Sequence, residues 1–164
     1  MKSVIVPIAL AIASAPSFGD TFSPSDFVKH AVRGDVSEIR LGELAEQKAE
    51  SQSVRQFGSM LREDHTKAQS QAEQLAQRMH VKVNPEPTAA AKKEMDKLQQ
   101  LDGKKFDREF LNYMIEDHQK DIAEFKEASN SDNSRVAQMA RQTLPVLRKH
   151  LQTAERAKKE LRDQ

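Results

Sequence analysis

A chain of 164 residues suits one domain with a core of useful size, and its residue usage argues against a β-rich fold: seven Phe, one Tyr and no Trp stand against an abundance of Ala, Leu, Gln, Lys and Glu. Its 26 basic and 25 acidic residues are interspersed, which removes the electrostatic case for nucleic acid or an anionic membrane as partner. Zero cysteines exclude disulfides and thiol chemistry and leave stability to packing.

Residues 1–19 read as a secretory signal. Lys2 gives the positive start, Val4 to Ala13 the apolar run, and Ser17-Phe18-Gly19 the small residues at the two positions a signal peptidase reads. Cleavage after Gly19 removes only Lys2 among charged residues, leaving 25 of each sign in residues 20–164, the single predicted domain. No other apolar run approaches the roughly 20 residues that span a bilayer. The expectation is an exported protein of the bacterial periplasm with no transmembrane segment after cleavage.

Ser23-Pro24 offers a hydroxyl cap and a proline at the first helical position, so the first helix is predicted from there to about Glu50. It carries Phe27, Val28, Val32 and Val36 inward, with a bend expected at Gly34-Asp35. Gly42, Ala45 and Ala49 then form a stripe small enough for a close neighbour, with Glu38 one turn earlier on that side. Capped by Ser51 or Ser53, the second helix reaches about Met79 on a seam of Val54, Phe57, Leu61, Ala68, Ala72 and Leu75. Pro85 and Pro87 mark a crossover, after which Thr88 caps a short helix that stops at Asp102-Gly103. The third long helix is predicted from near Lys104, with Phe106, Phe110, Met114, Ile122 and Phe125 on its apolar face. The fourth, capped by Ser131 or Asp132, carries Val136, Ala140, Leu144, Leu147 and Ala154, with a kink or fresh start expected at Pro145. These elements specify an all-α, four-helix bundle with a short extra helix in the crossover.

Two of the seams are interrupted in the same way. Where the second helix is due its next aliphatic after Leu61 it has Asp64-His65, within Met60-Leu61-Arg62-Glu63-Asp64-His65-Thr66-Lys67. The third helix has a near copy, Met114-Ile115-Glu116-Asp117-His118-Gln119-Lys120, in which His118 stands four residues from both Met114 and Ile122. His150 lies three after Leu147, at the edge of the fourth stripe. Outward pairs Glu63–Lys67 and Glu116–Lys120 are expected. On packing, Glu38, Asp64, His65, Asp117, His118 and His150 form a candidate metal set with members from all four long helices, and imidazoles with carboxylates suit zinc, copper or iron. A di-iron ferroxidase is not expected, because Arg62, Ile115 and Leu147 stand where Glu-x-x-His pairs need glutamate. His30 and His80 are read as helix-end residues outside any site.

The stretches EIRLGELAEQKAESQSVRQFGSMLREDHTKA, GKKFDREFLNYMIEDHQKDIAEF and LPVLRKHLQTAE resemble the exported bacterial proteins grouped as domain of unknown function 4142, often labelled predicted outer-membrane proteins. The resemblance covers most of residues 20–164 and implies a ferritin-like bundle in the periplasm. It implies no activity. No glycine-rich phosphate loop and no serine in a strand-turn-helix setting support a nucleotide or hydrolase reading. Two functional readings follow: a non-enzymatic envelope or stress-related bundle, with Asp–His pairs holding helices in register and an envelope protein as partner; alternatively, a metal-binding protein using the candidate set.

Overall fold

The computed structural model describes residues 22–163, and the expected signal segment 1–19 lies outside them. The described residues form α1 (Pro24–Lys48), α2 (Gln52–Arg78), the short α3 (Ala89–Gln99), α4 (Gly103–Ala128) and α5 (Ser134–Arg162), with no strand among them. No helix among them is long and apolar enough to cross a membrane.

The helix ends follow the local chemistry, with two departures. Ser23 and Thr88 cap as expected, accepting from the amides of Asp26 and Ala91. The α5 cap is Asn133 instead of Ser131 or Asp132: its Oδ1 accepts from the Arg135 and Val136 amides at 3.2 Å each, while Ser131 Oγ accepts from Asn133 itself. Ser51 precedes α2 without a side-chain cap. The tight α1–α2 turn sits against α4, where fully buried Asp107 accepts from the Glu50 and Ser51 amides at 3.0 and 2.8 Å, and Arg55 donates to the Ala49 and Glu50 carbonyls. α5 runs unbroken through Pro145 with no fresh start, because Pro145 and Arg141, whose carbonyl loses its donor, are both exposed to water. The Glu116–Lys120 pair forms at 2.6 Å, but Lys67 turns to Asp64 at 3.7 Å and Glu63 accepts from Ser59 instead.

α1 packs along α2 and α4 along α5, and the two hairpins join through α2–α5 and α1–α4 contacts. One apolar cluster gathers Leu41 and Ala45 of α1, Phe57 and Leu61 of α2, Phe106 and Phe110 of α4, and Ala154 of α5. A second gathers Phe27, Leu75, Ala128 and Val136 from the opposite ends of the same helices. Neighbouring helices are therefore antiparallel, and the crossover with α3 returns the chain along the length of the bundle. Thr88 N donating to Ser37 Oγ at 3.0 Å, with Arg33 Nη2 donating to the Pro87 carbonyl at 3.3 Å, pins the crossover to α1.

The small stripe on α1 finds its counterpart in Gly58 of α2. A Cβ on Gly42 would stand 2.6 Å from the Gly58 carbonyl oxygen, and one on Gly58 would stand 2.7 Å from the Gly42 carbonyl, so the backbones touch. Gly34 is the opposite case, with nothing within 4 Å of an added Cβ. Gly42→Ala is expected to cost about 1–3 kcal/mol by forcing α1 and α2 apart, whereas Gly34→Ala is expected to add about 0.5–1 kcal/mol by restricting the unfolded chain. Thermal melts of the two variants check this; equal melting shifts would contradict the close contact.

Candidate metal centre

Between these two apolar clusters lies a polar layer, flanked by smaller apolar groups, Ala31, Val32 and Ala72 on one side and Ile122, Leu144 and Leu147 on the other. The seam positions of α2, α4 and α5 here hold His65, His118 and His150, which are 4%, 0% and 0% exposed. Their ring centroids are 5.3–6.1 Å apart, and one nitrogen from each ring lies within 4.8 Å of the other two. Among the described residues this is the one cluster of metal-ligating side chains so gathered.

Each ring has one nitrogen tied to a fixed acceptor. His65 Nδ1 is 2.8 Å from Asp35 Oδ1, His118 Nδ1 is 3.0 Å from the Met114 carbonyl, and His150 Nε2 is 3.1 Å from Asp64 Oδ2. A carbonyl or carboxylate oxygen only accepts, so in a neutral ring the tied nitrogen carries the proton and the other bears a lone pair. The consequence is an apparent misfit: His118 Nε2 and His150 Nδ1 face each other at 3.2 Å with lone pairs on both, and His65 Nε2 is buried with no partner. A proton between the first two would relieve the misfit, but burial, with the neighbouring imidazoles, pushes His118 well below the ordinary histidine range. Burial likewise takes His150 down to about 4, with His65 adding to the effect against the pull of Asp64.

The six residues expected from the sequence are thus sorted into three groups. The three histidines converge. Asp64, a quarter exposed, touches the outer nitrogen of His150; partial burial works against its charge, yet that hydrogen bond and Lys149 and Lys67 hold it below the usual carboxylate range. Glu38 and Asp117 are not part of the cluster. Glu38 is 1% exposed and neither of its oxygens meets a donor; burial and then Asp117 push it well above its ordinary range, so that as an acid it can donate to Asp117. Asp35, the acceptor for His65, was not foreseen. It sits three residues after Val32 and three before Glu38 on the buried side of α1, the same seam substitution that marks Asp64-His65 on α2. Burial pushes Asp35 up, against the opposing effect of His65.

A cavity of about 250 Å³ abuts the cluster on the α1–α4 side, with His65 in its wall and Asp35, Asp117, Asp121 and Glu124 around it. Burial, then Asp117 and Glu124, push Asp121 up to about 8. His30, placed by sequence outside any site, lies in α1 at this cavity with Nδ1 2.7 Å from Glu124, which raises its affinity for a proton. A second cavity of about 370 Å³ lies on the other side of His65, lined by Asp64, Lys67, Ala68 and His150 among others.

The family model described as a domain of unknown function, DUF4142, matches residues 9–157, and the chain belongs to that family. No curated protein and no solved structure matches it.

The raised affinity of Asp121 for a proton has a signed consequence. The folded chain holds that proton up to about pH 8 and the unfolded chain only to the ordinary aspartate value of about 3.8, so between these values the folded state carries the extra proton and stability falls as pH rises. Chemical denaturation of Asp121→Asn beside the wild type is expected to show the variant gaining relative stability steadily from about pH 4 to about pH 8, then levelling off. A difference that does not change with pH would contradict this placement of Asp121.

Proposed function

We propose that this DUF4142 protein is a metal-binding bundle of the periplasm, holding one divalent ion of the zinc or copper kind between His65, His118 and His150. The observation that carries the reading is the meeting of His118 Nε2 and His150 Nδ1 at 3.2 Å, two lone pairs with no proton available to either from its own partner. A metal ion resolves that contact. Two nitrogens on adjacent corners of a tetrahedral ion at about 2.0–2.1 Å are about 3.3 Å apart, so the pair stands at ligand spacing already. His65 Nε2, buried and unpartnered, supplies the third donor after a small inward shift.

The supports on the far nitrogens fit the same reading, since ligating imidazoles donate their other N–H to a carboxylate or a backbone carbonyl. Asp35, Asp64 and the Met114 carbonyl occupy those places. Three neutral imidazoles with no ligating carboxylate favour zinc or copper over iron, and with Asp35 and Asp64 held on the outer ring nitrogens no carboxylate is left to bridge a di-iron pair. Glu38 and Asp117 lie outside this ligand set. The reading of export, and with it an envelope role, is supported by the signal-like segment 1–19.

Titration of the chain from residue 20 onward with Zn²⁺ is expected to reach one ion per chain, with His65→Ala and His118→Ala each abolishing tight uptake. Asp35→Asn is expected to keep the stoichiometry while weakening affinity roughly 10–100-fold, the usual effect of losing an outer partner. Absence of uptake by the wild type, with the histidine variants merely less stable, would leave the histidines as a structural layer.

A further inference from the structure

The α1–α4 cavity has features that packing alone does not explain. Its wall includes Gly34, a glycine in the interior of α1 where alanine would be favoured by roughly 1 kcal/mol. Elsewhere in α1 glycine is required by a neighbour, as at Gly42; at Gly34 no atom lies within 4 Å of an added Cβ, so what the missing side chain leaves is open space in the cavity. Around that space stand the carboxyl groups of Asp35, Asp117, Asp121 and Glu124, with buried Glu38 next to Asp117. The opposing cations are His30, bound to Glu124, and Lys120, bound to Glu116. His65, whose Nε2 is buried and unpartnered, is also part of the wall and joins the cavity to the histidine cluster.

We propose that this cavity is a vestibule that takes a hydrated divalent cation among its carboxyl groups and passes it to the three imidazoles. The inference rests on the reading of His65, His118 and His150 as ligands. Size agrees: at roughly 30 Å³ per water a hexa-aqua ion needs roughly 180 Å³, inside the cavity's 250 Å³. Spread agrees as well. Among the described residues the three histidines are the one gathered ligand set, so the cavity's carboxyl groups are not drawn together into a chelate. Its carboxylates can accept hydrogen bonds from the ion's water shell, and those waters leave one by one as the imidazole nitrogens replace them. No bond to carbon and no electron changes hands. The cavity on the far side of His65 is a poorer route: its carboxylate, Asp64, is engaged by His150 and faced by Lys67.

The test follows uptake of Co²⁺ by stopped flow, read by the visible absorption of the bound ion at low ionic strength. Gly34→Phe narrows the vestibule, and the triple variant Asp117→Asn, Asp121→Asn, Glu124→Gln removes its acids, of which Asp121 holds its proton up to about pH 8, while leaving Glu38 an acceptor at position 117. Both are expected to load about tenfold more slowly than wild type with one ion still bound at the end, in line with the gain that charged clefts give to association rates. The slowing of the triple variant is expected to shrink as salt is added. Two controls are expected to load at the wild-type rate: Ala68→Phe, which narrows the other cavity, and Asp96→Asn with Asp132→Asn and Glu155→Gln, which removes at least as much charge from exposed positions. If Gly34→Phe folds poorly, the triple variant tests the same claim. Equal rates for vestibule and control variants, all binding one Co²⁺, would overturn the vestibule and leave the histidine centre standing, as would slowing by Ala68→Phe alone. Failure of the wild type to bind Co²⁺ would overturn both.

Discussion

Two imidazole nitrogens that both bear lone pairs repel, and in water a solvent molecule would separate them. His118 and His150 are fully buried, and each has its one N–H committed elsewhere, so their facing nitrogens have no such way out. Whatever lies between them must accept electron density from both. A proton can do this only by charging a ring in a site where burial opposes charge. In the proposed reading a divalent ion does it with more charge, brings in His65 as well, and requires neutral rings. Much of the bundle's polar layer follows from this constraint: Asp35 and Asp64 are there to hold rings, and their own ionisation depends on the rings they hold.

A polar layer in mid-bundle needs support from both sides. The apolar cluster around Phe57, Phe106 and Phe110 closes one end and the cluster around Phe27, Leu75 and Val136 the other, so the helices are gripped above and below the histidines. The Gly42–Gly58 contact sets the α1–α2 separation about two turns from Asp35 and His65, the pair that spans the same two helices at 2.8 Å. Asp107 does the corresponding work for the α1–α2 turn, satisfying two amides that the turn leaves free and tying it to α4. Ring positions within the layer are therefore fixed by backbone contacts on several sides, which is the condition for preorganised ligands.

Much of this was legible in the chain. The five helices, the crossover and the inward turn of His65, His118 and His150 follow from seam periodicity, because a residue at a seam position is buried whatever its polarity. What stayed hidden depends on contacts between elements distant in sequence. Asp107 looks like any acid beside a phenylalanine until the α1–α2 turn is placed against it. Asp64 and Asp117 occupy equivalent positions in near copies of one motif, yet only Asp64 reaches a histidine, since α2 faces α5 where α4 faces α1 and its carboxylates. Asp35 was accessible to the reasoning that found Asp64, for it too interrupts a seam, but Gly34 beside it invites the reading of a helix bend. His30 carries no local mark, and its place at the cavity comes from Glu124, 94 residues away.

The most direct measurement is X-ray absorption at the zinc edge of the loaded chain. Three imidazole nitrogens at about 2.0–2.1 Å, with the fourth position taken by a light atom such as a water oxygen, are expected, falling to two imidazoles in His65→Ala loaded at the excess of zinc that its weakened site needs. A shell made of oxygen alone, or an imidazole count that His65→Ala leaves unchanged, would contradict the convergence of His65, His118 and His150 on one ion.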